Sequence, residues 1–137
     1  CRQFPNQNSL AISIGTCITY NFLAKNNAFR GGSISPGVDL RLRAMSEFTD
    51  KLPSISREGH LSILGYDTET SMRSGAINGV AAEIDGMIER YETQYGTINA
   101  VLTGGDAPFF ESRLKNKIFA DTNFLFKGLY AILEHNK

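Results

Sequence analysis

From Ser9 to Ile14 the chain alternates Leu10, Ile12 and Ile14 with smaller side chains, which predicts a strand with one buried face. The pattern breaks at Gly15-Thr16 and resumes as a β-branched and aromatic run from Cys17 to Ala24, a second strand. Lys25-Asn26-Asn27 is a hairpin turn signal, and Phe29 to Ser35 is the returning third strand. The period then changes. After Pro36-Gly37, apolar residues at Val38, Leu40, Leu42, Met45 and Phe48 predict a helix over 38–48, ended by Leu52-Pro53. The segment from Ser54 to Asp67 has no period and reads as a connection of the length that functional loops have. From Thr68 to about Tyr91 the set Met72, Ala76, Ile77, Val80, Ala81, Ile84, Met87, Ile88 and Tyr91 keeps a helical spacing over several turns. Gly75, Gly79 and Gly86 within it each cost about 1 kcal/mol relative to Ala, so a close backbone neighbour, and with it an interface, is expected on this helix. Ile98 to Leu102 is a short buried strand running into Thr103-Gly104-Gly105. Asp106 follows as N-cap, with Pro108 in the first turn of a helix reaching about Lys115. Ile118 to Asn123 is a last short strand, and Phe124 to Glu134 a closing helix carrying Leu125, Leu129, Ile132 and Leu133.

Three strands, two helices, a strand, a helix, a short strand and a helix are the order of an α/β ribonuclease-H-like domain. The 137 residues suffice for one such domain with a single core. Lys+Arg and Asp+Glu balance at 14 each, so no basic field draws nucleic acid or an anionic membrane. A small ligand or a protein partner is expected instead. Cys1 and Cys17 do not make a disulfide framework, and Cys17 in a strand is expected to act as a small hydrophobe, which suits a reducing cytoplasm. There is no apolar run of about 18 residues, and CRQFPNQN at the start holds neither a signal core nor an initiator Met. A soluble chain beginning inside a longer one is expected.

Two places carry candidate chemistry. At Gly15-Thr16 the backbone is free of a Cβ and Thr16 offers a hydroxyl to a phosphate oxygen, although the same pair also serves as a plain hairpin turn. Gly104-Gly105, between a buried strand and a helix, lets a flat ring or a pyrophosphate lie against the chain, or is an ordinary strand-to-helix loop. His60 and His135 are isolated and read as solvated, and no metal-ligand spacing occurs. Glu83, Asp85 and Glu89 are assigned to the solvated face of the long helix, and no nucleophile motif or catalytic carboxylate pair stands out.

Six pieces in order, SIGTCITYNF, FRGGSISPG, FTDKLP, GYDTETSMRSG, LTGGDAPFF and LFKGLYAIL, resemble the C-terminal half of a type III pantothenate kinase across essentially the whole chain. FRGGSISPG, then LP, then TETSMRSG over 68–75 is the most specific combination. The resemblance implies the acetate and sugar kinase, heat-shock and actin superfamily, with two ribonuclease-H-like domains and ATP between them. It implies transfer of the ATP γ-phosphate to the 4′-hydroxyl of pantothenate, the first step of coenzyme A synthesis, by a cytoplasmic homodimer using Mg²⁺ and a monovalent cation, K⁺ or NH₄⁺. Residue by residue, Gly15 and Thr16 match the ATP-binding turn, Thr68 matches the pantothenate-binding threonine, and Gly104-Gly105 resemble the adenosine loop.

Two departures follow from the same comparison. The family pattern Asp-x-Gly-Thr places its cation-binding Asp where this chain has Ser13, and a neutral hydroxyl is a poorer cation ligand than a carboxylate. The Asp-x-Gly-Asn-Thr phosphate loop and the Gly-x-Asp-Arg motif with the catalytic base are absent, so no catalytic residue is assigned and the chain alone is expected to be inactive. A non-catalytic nucleotide-binding or regulatory relative of the same fold is the alternative that the loss of this Asp raises.

Overall fold

The computed structural model describes residues 6–26 and 28–120. Strands β1 (Asn8–Ile14), β2 (Cys17–Leu23) and β3 (Phe29–Pro36) form an antiparallel meander. Helices α1 (Val38–Glu47) and α2 (Thr68–Tyr95) follow, then β4 (Ile98–Thr103), the short helix α3 (Ala107–Glu111) and β5 (Phe119–Ala120). The five strands make one mixed sheet in the order β3-β2-β1-β4-β5, with β1, β4 and β5 parallel.

Alternation along the strands decides which face is covered. Leu10, Ile12 and Ile14 of β1, Ile18, Tyr20 and Phe22 of β2, and Ala100 and Leu102 of β4 point to one side and are all buried. Above them lie Val38 and Leu42 of α1 and Met72, Ala76, Ile77, Val80, Ile84 and Ile88 of α2. Burying one such isoleucine contributes about 2 kcal/mol, which is how a helix with three glycines is held. Asp67 caps α2 by accepting from the Thr70 amide at 2.8 Å while the Thr70 hydroxyl accepts from the Asp67 amide at 3.1 Å, a reciprocal capping box. At the other end, Tyr95 stacks on Phe22 with ring centroids 4.4 Å apart. The helix thus runs one turn past Tyr91 before Gly96, at φ +83°, stops it.

The segment 48–67 has no regular structure but is fixed from beneath. Arg73 is 2% exposed and donates to the carbonyls of Ser56 and His60, while its i−4 neighbour Glu69 pairs with it at 2.7 Å.

Several expectations need correction. The helix after Asp106 ends at Glu111 rather than near Lys115, because the amides of Lys115 and Asn116 turn away to the Asp85 carboxylate at 3.0 and 3.1 Å. Asp85 is therefore buried, not on a solvated face. Glu83 is half-buried and also not solvated, because it accepts hydrogen bonds from Tyr20, Ser35 and Arg41. Glu89 is exposed as expected and pairs with Lys115 at 2.9 Å. Cys17 is exposed, since strand alternation puts it opposite Ile18, and Phe48 lies outside the core at 83% exposure. At the α2 glycines the chain itself supplies no close backbone: among the described residues a Cβ at Gly75 or Gly86 would meet nothing within 4 Å and one at Gly79 only the Arg41 guanidinium at 3.6 Å, so the interface expected on this helix would have to come from outside the chain. Asn27 of the hairpin turn, the end of the last strand, the closing helix and His135 lie outside the described residues.

Candidate functional site

Parallel pairing of β1 and β4 brings Ser13 level with Thr103, so the two glycine turns leave the sheet side by side at the same end. Gly104 sits at φ +94°, and a Cβ there would lie 2.5 Å from the Ile14 carbonyl oxygen. Only glycine fits this approach. The next contact is the Asp106 amide on that same Ile14 oxygen at 3.0 Å. On the other side, the Gly15 amide donates to Cys17 O at 3.0 Å and closes the hairpin, while the Gly37 amide donates to Thr16 O at 2.8 Å. A Cβ at Gly37 would fall 2.1 Å from Gly15 O, so the start of α1 abuts the turn.

The result is a cradle walled by Gly15-Thr16, the N-terminus of α1 and Gly104-Gly105. A Cβ at Gly15 or Gly105 would meet nothing within 4 Å, so the space over both glycines is open. Thr16 is exposed, and no side chain caps α1, whose first-turn amides carry the positive end of the helix dipole. Backbone donors, one hydroxyl and glycines suit a polyphosphate and a flat ring.

Two carboxylates flank the cradle, and one arginine holds both. Arg57 Nη1 and Nη2 reach the two Asp106 oxygens at 2.9 and 3.0 Å, while Nε and Nη2 reach Asp39 at 3.0 and 2.8 Å. Bonding to Asp39, against the cost of burial, and then the pair with Asp106 hold the Arg57 guanidinium above its ordinary range. Asp106 occupies the N-cap position of α3, yet its side chain caps nothing there.

Behind the cradle, Glu83 links α2 to β2, β3 and α1: it accepts from Tyr20 at 2.6 Å and Ser35 at 2.7 Å and pairs with Arg41. Burial pushes its carboxyl up, but the three donors and the Arg41 charge outweigh that and hold it below the ordinary carboxylate value. Burial first, and then the bond to Glu83, drive the Tyr20 phenol well above its ordinary value.

Ser13, Gly15, Thr16, Gly104 and Gly105 are thus brought together. Ser13 is half-buried on β1 between Thr19 and Thr103 in register, a row of hydroxyls. Among the described residues no three His, Cys, Asp or Glu side chains converge as for a metal ion. Thr68 is the exposed first residue of α2, one turn before Ser71 and Met72, which line a groove of about 480 Å³ between α1 and α2 together with Leu40, Met45 and Gly75. Asp67, not Thr68, is the helix cap. Sequence reasoning missed Gly37, although Pro36-Gly37 lies in the motif FRGGSISPG, and it missed Arg57, which no local pattern marks.

The family model for type III pantothenate kinase matches residues 1–90. The chain is similar to a type III pantothenate kinase of Cytophaga hutchinsonii, 44% identical over 133 residues that cover 97% of this chain and 57% of the relative. It is likewise similar to one of Flavobacterium johnsoniae, 45% identical over 127 residues that cover 93% and 52%. The chain therefore spans about half the length of the curated relatives it matches. Among solved structures, a conserved protein assigned to the Baf family of transcriptional activators from Campylobacter jejuni superposes with a TM-score of 0.68 at 20% identity, covering 95% of this chain and 59% of that one. At that identity the likeness shows the fold alone.

Proposed function

The chain belongs to the type III pantothenate kinase family, and from that premise we propose that it is the C-terminal, ribonuclease-H-like half of a cytoplasmic enzyme that phosphorylates pantothenate with ATP. The observation that carries this reading is the cradle: glycine turns from adjacent parallel strands meeting the N-terminus of α1, with open space over Gly15 and Gly105. Open α/β sheets bind ligands outside the carboxyl ends of their strands, which is where these turns lie. The strand order β3-β2-β1-β4-β5 supports the ribonuclease-H-like assignment.

ATP with its Mg²⁺ supplies the phosphoryl group and much of the charge neutralisation. The chain's own work is positional. The Thr16 hydroxyl donates to a phosphate oxygen, the α1 amides favour its negative charge, and Gly104-Gly105 accept the adenosine face without a side chain in the way. Thr68, at the start of α2, belongs to the pantothenate side. Ser13 and its hydroxyl neighbours replace the carboxylate that the resemblance associates with a monovalent cation. No described residue is assigned as the base. The helix α2, with Gly75, Gly79 and Gly86, is the element assigned to a homodimer interface.

The test is a coupled assay of pantothenate phosphorylation by the full-length protein and by this 137-residue chain. The full-length protein is expected to turn over and the chain alone not to. In the full-length enzyme, Thr16→Val is expected to raise the ATP KM about tenfold while the pantothenate KM holds, as loss of one hydrogen bond to a charged group dictates. No ATP-dependent phosphorylation by the full-length protein would sink the reading.

A further inference from the structure

The geometry points to Arg57 as a positioning residue that sets the width of the nucleotide cradle; this rests on the reading of Gly104-Gly105 as the nucleotide face. The two walls of the cradle reach the same sheet end by different routes. One is Gly37 against Gly15-Thr16, and two residues later α1 presents Asp39. The other is Gly104-Gly105, and the next residue is Asp106. A single guanidinium spans the gap, with its bidentate pair to Asp106 at 2.9 and 3.0 Å and its bonds to Asp39 at 3.0 and 2.8 Å.

Three further observations make this a strut rather than a surface ion pair. The Arg57 side chain is 15% exposed, so water and salt screen it little. Asp106 leaves the α3 amides uncapped and turns both oxygens to Arg57. And the segment that delivers Arg57 is itself fixed, since buried Arg73 holds the carbonyls of Ser56 and His60 on either side. The planar guanidinium also lies 5.5 Å from the Phe109 ring of α3. Lysine reproduces the charge but not the fork. Loosening the strut lets the Gly104-Gly105 turn move relative to the phosphate turn, which weakens a ligand touching both walls and leaves a ligand elsewhere alone.

The experiment uses the full-length protein with Arg57→Gln, Arg57→Lys, Asp39→Asn and Gly105→Val. Each is titrated calorimetrically with a non-hydrolysable ATP analogue and separately with pantothenate, and its melting temperature is recorded. Arg57→Gln is expected to weaken nucleotide binding about fivefold or more, with pantothenate affinity near wild type and Arg57→Lys recovering part of the loss. A purely structural role predicts a lowered melting temperature with both affinities unchanged or both reduced together, and either pattern overturns the proposal. If Arg57→Gln does not fold, Asp39→Asn decides, because that carboxylate is 69% exposed and dispensable for the core; unchanged nucleotide affinity there refutes the strut. Gly105→Val separates the two levels of the argument. Its side chain enters open space, so wild-type nucleotide affinity in this variant removes the nucleotide face itself. Weakened binding in Gly105→Val combined with intact binding in Arg57→Gln removes only the role of Arg57.

Discussion

Truncating Glu83 to alanine strips one acceptor from three donors that lie on three different elements. Tyr20 on β2 is 1% exposed, so its hydroxyl, which donates to Glu83 at 2.6 Å, is left buried without a partner. An orphaned buried hydroxyl costs about 2 kcal/mol. Ser35 and Arg41 are partly exposed, and Arg41 keeps its bond to Pro36 O at 2.9 Å, so both turn to water and lose about 0.5 kcal/mol each. The sum is about 3 kcal/mol for Glu83→Ala. Tyr20→Phe alone removes the hydroxyl together with its desolvation and costs about 1 kcal/mol. In the double variant no orphan remains, so adding Glu83→Ala to Tyr20→Phe costs only about 1 kcal/mol more, a coupling of about 2 kcal/mol. The chain contains no Trp, so urea denaturation is followed by far-ultraviolet circular dichroism, with m-values compared to confirm a common unfolded state. Additive losses within about 0.5 kcal/mol would show that the Tyr20–Glu83 bond is not the pivot of this network.

The same structure sets the remaining outcomes. Glu83 is held below its ordinary value of 4.5, so its contribution to stability is complete above that value and is lost as pH falls through the folded-state value. Tyr20 is raised above 10.0, so its contribution is present below that pH and is lost as pH rises beyond it; urea midpoints across pH should fall on both flanks, and Tyr20→Phe should flatten the alkaline one. Gly104→Ala forces a Cβ onto the Ile14 oxygen at φ +94° and should cost about 3 kcal/mol or more in the same denaturation assay. In the full-length enzyme, Thr68→Val should raise the pantothenate KM about tenfold with ATP KM retained, and an unchanged pantothenate KM refutes its assignment. Ser13→Asp should create or strengthen a potassium response in initial rate at fixed ionic strength; a strong potassium requirement in the wild type would refute the argument from the missing carboxylate.

The elements themselves are legible because their determinants are local. Period-two alternation fixes β1 and a β-branched, aromatic run fixes β2, each to within a residue or two, and the 3.6-residue spacing of Met72 to Tyr91 fixes α2 to within a turn, since side-chain direction repeats with the backbone whatever lies nearby. Glycines after buried strands mark the two turns, Gly15-Thr16 and Gly104-Gly105, and at Gly104 only glycine permits the approach made to Ile14. What escapes the sequence depends on partners distant along the chain. Asp106 has the signature of a helix cap, but Arg57, 49 residues away, takes its carboxylate. Glu83 and Asp85 read as solvated because a helical wheel shows the polar face but not what arrives to cover it. Here Tyr20 comes 63 residues earlier, and the amide of Lys115 comes 30 residues later.

The sequence by itself thus determined strands β1 to β4 and helices α1 and α2 to within about a turn, and through six ordered motifs the family, but not where α3 ends. Only the tertiary structure decided that the parallel pairing of β1 with β4 sets Gly15-Thr16 beside Gly104-Gly105 and that Gly37 completes the cradle. The reason is physical: propensity and periodicity act over one turn of helix or one pleat of strand, whereas strand order and ion-pair choice are settled by burying a whole face at once.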